Sequence, residues 1–250
     1  MDASEISIQL YSVRNMEGLE NQLALMASLG FTQVEPFGGQ FKDPGLMKAA
    51  LARHGLKAPS AHVGIEMLRD DLKGTAKIFR ELGIGFLIVP APPQGQRDMN
   101  AAGWTAFARE LGELGAQVRG EGLRFGWHNH HWEYATLDNG ARGIDILFHE
   151  APEMEWEADV AWIVRGGAEP VAELAKYRDR VAAAHIKDIA PAGTHADEDG
   201  WADLGHGTLD WARLKPALRD AGVKLYVLEH DKPNDPRRFA TRSLAALKAW

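Results

Sequence analysis

Short runs of β-branched and aromatic residues recur along the chain, separated by longer stretches whose apolar positions fall at helical spacing. Gly, Pro and Asp punctuate the boundaries. The apolar runs predict strands at Ile6–Tyr11, Gln33–Pro36, Ala58–His62, Phe86–Val89, Arg124–Asn129, Glu155–Asp159, Ala182–Lys187 and Lys224–Glu229. The helical pattern predicts helices at Leu19–Leu29, Gly45–His54, Leu68–Leu82, Ala101–Glu121, Gly143–Ala151, Pro170–Tyr177, Trp211–Ala221 and Pro236–Trp250. In SLGF, RHGLK, ELGIG and DAGVK a glycine stands where the C′ residue of a helix would sit. Strands alternating with helices predict a parallel sheet, because parallel neighbours need crossover connections. Eight such units in 250 residues match the usual length of a closed (β/α)8 barrel. The expectation is an α/β chain forming a single (β/α)8 TIM barrel over residues 1–250, with no linker or charge block dividing it.

Composition changes this picture little. The 45% hydrophobic and 25% charged residues are ordinary for a globular protein. A net charge of −7 argues against a nucleic-acid backbone as the main ligand, although local binding of an anion such as a phosphorylated substrate stays open. The absence of cysteine excludes disulfides and thiolate metal ligands. No apolar run is long enough to span a bilayer, so no membrane partner is expected. The segment MDASEISIQLYSV lacks the basic and apolar regions of a signal peptide. The expected location is the cytoplasm, or the periplasm if a leader has been removed.

The chemistry lies in where polar residues fall. Strand interiors read as apolar, whereas strand C-terminal ends carry ionisable groups. These are Glu35 in VEPFG, His62 in SAHVG, His128 with Asn129 and His130 in GWHNHHWEY, and Asp159 in EADVAW. His185, Lys187 and Asp188 follow in AAHIKD, and Glu229, His230 and Asp231 in VLEHD. In a (β/α)8 barrel those ends converge on one mouth, where active sites are built. Taken singly, a histidine is usually a surface or satisfied core residue, and an Asp or Glu after a strand is often a helix N-cap. Capping does not explain the same placement repeated on strand after strand with histidines among it.

Asp159, His185 and Glu229 end three successive expected strands and would sit side by side in a barrel, with His128 from the fifth strand as the candidate fourth ligand. Two imidazole nitrogens and two carboxylate oxygens suit Mn, Zn, Co or Fe(II) better than calcium. The rival arrangement, a polar rim bound only to itself, would carry large desolvation costs.

The stretches IQLYSVRN, GFTQVEPFGG, SAHVG, GWHNHHWEY, ADVAWIVRGGAEPV, VAAAHIKD, LGHGTLDW and YVLEHDKPNDP resemble the sugar phosphate isomerase/epimerase group of xylose isomerase-like TIM barrels. They cover nearly the whole chain in the family's order. The resemblance implies one divalent metal, commonly Mn, with Zn, Co, Mg or Fe as alternatives, held by Glu, Asp, His and Glu from strands five to eight. Asp159, His185 and Glu229 match the last three positions. The fifth strand departs: His128-Asn129-His130 stands where many members have Glu-Asn-His, and Glu133 is the second candidate for the fourth ligand.

That departure bears on mechanism. The resemblance implies proton transfer beside a sugar carbonyl, with two metal-bound carboxylates in the ketose epimerases. Glu229 can serve as one base, but a metal-bound His128 has its lone pair committed. The second proton carrier would then be His62, Lys187 or His130. A single base also suits elimination or hydration beside a ketone, as in inosose dehydratases and lyases of 3-keto-glycosides.

Around the site, Gln9, Tyr11, Glu35, Asn129 and His130 are candidate contacts to sugar hydroxyls, with ion pairing to Arg14 or Lys42 as the structural alternative for Glu35. Trp162 and Arg165 are a candidate stacking wall and anion donor, or else packing under a loop. Lys187 is a candidate acid–base group, or else a charge partner of Asp159 or Glu229. His206 is a candidate contact or a turn residue, and residues 189–204 are expected to form a lid. His54, His131, His149 and His195 are expected at the surface. The expected partner is a small sugar or keto-sugar, with a homo-oligomer possible in principle. Two other classes share this barrel: a non-catalytic sugar-binding protein, and an apurinic-site endonuclease, whose three-zinc cluster needs more ligands and a basic groove that the acidic balance counts against.

Overall fold

A computed structural model describes residues 2–250. Its strands are β1 Ile6–Ile8, β2 Ser60–His62, β3 Phe86–Val89, β4 Arg124–His128, β5 Glu155–Asp159, β6 Val181–Ile186, β7 Asp188–Ile189, β8 Trp201–Ala202 and β9 Leu225–Leu228. Its helices are α1 Leu19–Ser28, α2 Pro44–His54, α3 Ile65–Leu82, α4 Ala101–Gly120, α5 Gly143–Glu150, α6 Val160–Arg165, α7 Pro170–Lys176, α8 Trp211–Asp220 and α9 Pro236–Lys248. Several helices start at the caps their sequences carry: Asp43 accepts from Leu46 N at 2.9 Å ahead of Pro44, and Asp235 accepts from Arg238 N at 3.0 Å ahead of Pro236. Gly55 and Gly83 end α2 and α3 with φ of 64° and 75°, a conformation that strains residues with a Cβ.

Seven strands form one parallel sheet in the order β1-β9-β6-β5-β4-β3-β2. The expected second strand departs from the reading. Residues 33–37 make only single parallel bridges, Gln9 with Glu35, Gln33 with Lys57 and Phe37 with His62. They hydrogen-bond on both sides nonetheless, Glu35 N to Ile8 O at 2.8 Å and His62 N to Pro36 O at 2.9 Å. Pro36 lacks the N–H that a continuous ladder requires, which limits the pairing to these bridges. The expected lid loop also carries structure: β7 and β8 pair antiparallel within it.

The sheet's inward face is layered. Phe86, Ile88, Ala182 and Ala183 of β3 and β6, with Leu225 of β9 packed against them, form a small apolar cluster separate from the large core beneath the helices. It requires a glycine opposite: a Cβ on Gly126 would lie 2.6 Å from Phe86 Cζ. Further along the strands the period-2 alternation brings Glu157, His128, His185 and Glu229 inward, toward the strand C-terminal ends.

Candidate metal centre

Five polar side chains are packed here with almost no surface. Asp159 Oδ1 caps α6 by accepting from Trp162 N at 2.8 Å, while Oδ2 lies 2.9 Å from Lys187 Nζ. The carboxylate is therefore both the N-cap and a donor to the centre. His185 Nδ1 is 2.9 Å from Glu229 Oε2, and His128 Nε2 is 3.9 Å from Asp159 Oδ2. His128, Asp159, His185 and Glu229 each offer a ligand atom within 4.8 Å of the others. Lys187 is wholly buried, with Nζ 2.6 Å from Glu229 and 2.7 Å from Asp231.

A second group, His62, His128, Glu157 and His185, meets the same 4.8 Å limit one pleat lower and shares two histidines with the first. Glu157 Oε2 approaches His62 Nε2 at 2.6 Å, His128 Nδ1 at 3.1 Å and His185 Nε2 at 3.1 Å. Glu157 overturns the reading of strand interiors as apolar. The signal was in EWEAD, where Glu157 lies two residues before Asp159 and so on the same face.

The electrostatics are those of crowded buried charge. Burial, then the neighbouring His185, drives the His128 pKa down to about 3. Burial pushes Asp159 up to about 6 against the opposing pull of Lys187. Burial also raises Glu229, but Lys187 and His185 outweigh it and hold the carboxyl well below its usual range. Burial disfavours charge on His185, yet Glu157 and Glu229 hold it well above its ordinary value. Two imidazole nitrogens and two carboxylate oxygens at this spacing fit a divalent first-row ion. Asp159 Oδ2 and Glu157 Oε1 have no aligned hydrogen-bond donor among the described residues.

A pocket of about 270 Å³ opens above the centre, lined by Tyr11, Phe37, His62, Arg97, His128, His130, Glu229 and Asp231 among others. The sequence model of the xylose isomerase-like TIM barrel matches residues 23–250. The chain belongs to that family. Within it, an inosose dehydratase of Clostridium beijerinckii is 26% identical over 191 residues, covering 68% of this chain. The match spans 63% of that relative's length. A sugar phosphate isomerase/epimerase structure from Parabacteroides distasonis superposes with a TM-score of 0.81 at 19% identity, covering 100% of this chain and 95% of that one. The IolI protein, solved with a zinc atom, gives a TM-score of 0.74 at 15% identity, with 98% and 95% covered. At these identities the two structures speak for the fold.

The expected site residues divide. Tyr11, His62, His128, His130 and Glu229 line the pocket. Gln9 and Glu35 do not, because both are buried beneath it: Gln9 Nε2 donates to Glu35 Oε1 at 2.8 Å, and that carboxylate also meets His185 Nε2 at 2.9 Å. Glu35 pairs with neither Arg14 nor Lys42. Asn129 is committed to the scaffold, accepting from Trp156 Nε1 and Asp159 N at 2.9 Å each. Trp162 and Arg165 pack under the 189–204 segment, Arg165 stacking on Trp201 and donating to Asp199 O at 2.7 Å. His206 is exposed at a turn away from the pocket.

Glu133 stands outside both ligand groups. Trp127 points to the helix side of β4, where it packs on Phe107, and its indole donates to Glu133 Oε1 at 3.1 Å. Burial raises the Glu133 pKa to about 8, against the pull of backbone N–H groups including that of His130. Phe37 and Arg97 were not foreseen as pocket residues, whereas Asp231, expected among the strand-end groups at the mouth, does line the pocket. His131, His149 and His195 are exposed, whereas His54 is half-buried against Glu20 at 2.7 Å.

Proposed function

We propose that this family member is a divalent-metal-dependent enzyme that takes a proton from the carbon beside a ketone of a polyhydroxylated substrate and expels water from the next carbon. The observation that carries this reading is the His128–Asp159–His185–Glu229 donor set at the base of the pocket. Those four residues would hold the ion, which when bound polarises the carbonyl and acidifies the adjacent C–H. Manganese and zinc both suit the donors.

Glu229 is the base, kept ionised by Lys187. His62 supplies a proton to the departing hydroxyl from Nδ1, since Nε2 is engaged by Glu157. Burial opposes the charged form of His62, but the Glu35 and Glu157 carboxylates raise its pKa above the ordinary value. Lys187 acts on Glu229 rather than on substrate. Tyr11, Phe37, His130 and Arg97 form the walls against which a sugar-sized molecule would rest. We further infer that residues 33–37 complete an eight-stave barrel around this centre.

Elimination is preferred because His128 stands where a second metal-bound carboxylate would serve a two-carboxylate epimerase. The pocket's carboxylates, Glu229 and Asp231, both come from the end of β9, and its imidazoles from the ends of β2 and β4. The 26% identity to an inosose dehydratase supports the same choice. Epimerisation is the second reading, favoured by His62 and His130 as further proton carriers on the pocket wall.

The test is turnover by manganese- or zinc-loaded protein of inososes, 3-keto-glycosides and free ketoses in D₂O, followed by NMR. A dehydrated product supports elimination. Deuterium uptake with the carbon skeleton and hydroxyls intact supports epimerisation. Neither outcome with any of the three classes would overturn the enzymatic reading.

A further inference from the structure

Glu157 touches no reacting atom in the steps above, yet it lies where three histidines meet. It is wholly buried on β5, directly opposite His128 in the β4–β5 register and one pleat below Asp159. Its Oε2 lies against His128 Nδ1 and His185 Nε2, each at 3.1 Å. The other nitrogens of the same two rings, His128 Nε2 and His185 Nδ1, face Asp159 and Glu229. The rings are tilted by 59° with centroids 4.3 Å apart, so each spans the two layers in the opposite sense.

The two possible ligand groups compete for the same rings. A neutral imidazole has one N–H and one lone pair, so it cannot ligate through both nitrogens at once. A carboxylate below that only accepts, and carboxylates above that need a cation, fix which nitrogen does which. We propose that Glu157 is a positioning residue for the metal centre: it accepts N–H from His128 Nδ1 and, beside Glu35, places negative charge against His185 Nε2, so that the protons stay on those two nitrogens and His128 Nε2 and His185 Nδ1 are presented as the ligand atoms. Glu35 assists at His185, whose Nε2 lies 2.9 Å from Glu35 Oε1. His62 donates to the same Glu157 oxygen and takes no part in ligation. Carboxylates in this position raise ligand basicity and lock ring orientation, and their loss typically weakens metal binding by about 10–100-fold.

This inference rests on the proposed metal centre, and the test separates the two. Affinity for Co(II) is measured by competition with a chromophoric chelator, and the visible spectrum of the bound ion is recorded, for wild type, E157Q, D159N and H62Q. Wild type without bound Co(II) would refute the centre itself. With wild type binding, E157Q is expected to lose about 10–100-fold in affinity with an altered spectrum. D159N should lose more, and H62Q should stay close to wild type. Wild-type affinity and spectrum in E157Q would overturn the positioning role. Loss of the ion in H62Q with retention in D159N would overturn it too, by making Glu157 a ligand in the lower group. A measurement without variants guards against misfolding: long-range ¹H–¹⁵N correlation spectra of ¹⁵N-histidine protein loaded with zinc. His128 should carry its proton on Nδ1 and His185 on Nε2; the same tautomer in both rings would refute the proposal.

Discussion

The Lys187 ammonium lies 2.6 Å from Glu229 Oε2, and both groups sit at the base of the pocket with Asp231 and Asp159 also within 2.9 Å of the nitrogen. One buried cation therefore offsets three carboxylates. Lys187→Met leaves them without it, and removing one partner from a buried ion network typically costs about 3–5 kcal/mol. Urea denaturation of metal-free protein at pH 7 should show a loss of that order. The loss should be smaller with manganese or zinc present, because the bound ion supplies positive charge to the same carboxylates. An equal loss in both states would count against a shared site.

Metal binding should itself stabilise the fold, since the four donors converge only in the folded chain. At a free ion concentration a hundredfold above Kd the gain is about 2.7 kcal/mol. A rise in Tm with manganese or zinc that is absent in Asp159→Asn is the expected result. A rise of equal size in that variant would show that the ion binds elsewhere.

Glu133 gives the stability a pH dependence of known sign. Its folded pKa of about 8 exceeds the ordinary 4.5, so the folded state holds the proton more tightly than the unfolded state. Its contribution is complete below pH 4.5, declines as pH rises toward 8 and is lost above that. Glu133→Gln cannot ionise and should lack this decline. Its stability relative to wild type should therefore climb between pH 5 and pH 9 in urea titrations. A difference independent of pH would show that Glu133 is ionised throughout.

Asp188 fastens the segment that follows β6. It accepts from Gly205 N and Leu209 N at 3.0 Å and from Trp211 Nε1 at 2.8 Å. Asp188→Ala strands the buried Trp211 indole N–H, at about 1–3 kcal/mol, and releases the partly exposed Gly205 and Leu209 amides. Limited proteolysis should then cut faster within residues 189–209 than in wild type. Gly207→Ala should act alike, because its Cβ would lie 2.2 Å from Asp188 Oδ1. Unchanged cleavage in both variants would place the anchor elsewhere.

The match between expectation and structure was uneven for physical reasons. Phe86–Val89 and Glu155–Asp159 were legible to the residue, because apolar or strictly alternating runs bounded by turns have one consistent secondary structure. Residues 33–36 were not, because the proline that ends the run also removes a ladder donor. The short helix α6 was missed: six residues after a strand give too little periodicity to register. At the site, Asn129 and Arg165 carried the right chemistry for sugar recognition, but both spend it on holding Asp159 and the 189–204 segment.

By itself the sequence determined the alternation of strands and helices and the set of ionisable residues at strand ends, because both are written in local periodicity and turn chemistry. It determined the family for the same reason, since the motifs are contiguous strings. Only the tertiary structure decided which of those groups surround the Lys187 ammonium, that Glu157 lies beneath two histidines, and that Gln9 and Glu35 are buried supports. Those relations join residues up to 150 positions apart, such as Glu35 and His185. They depend on strand register and on which way each side chain tilts from the sheet, and neither is encoded at short range.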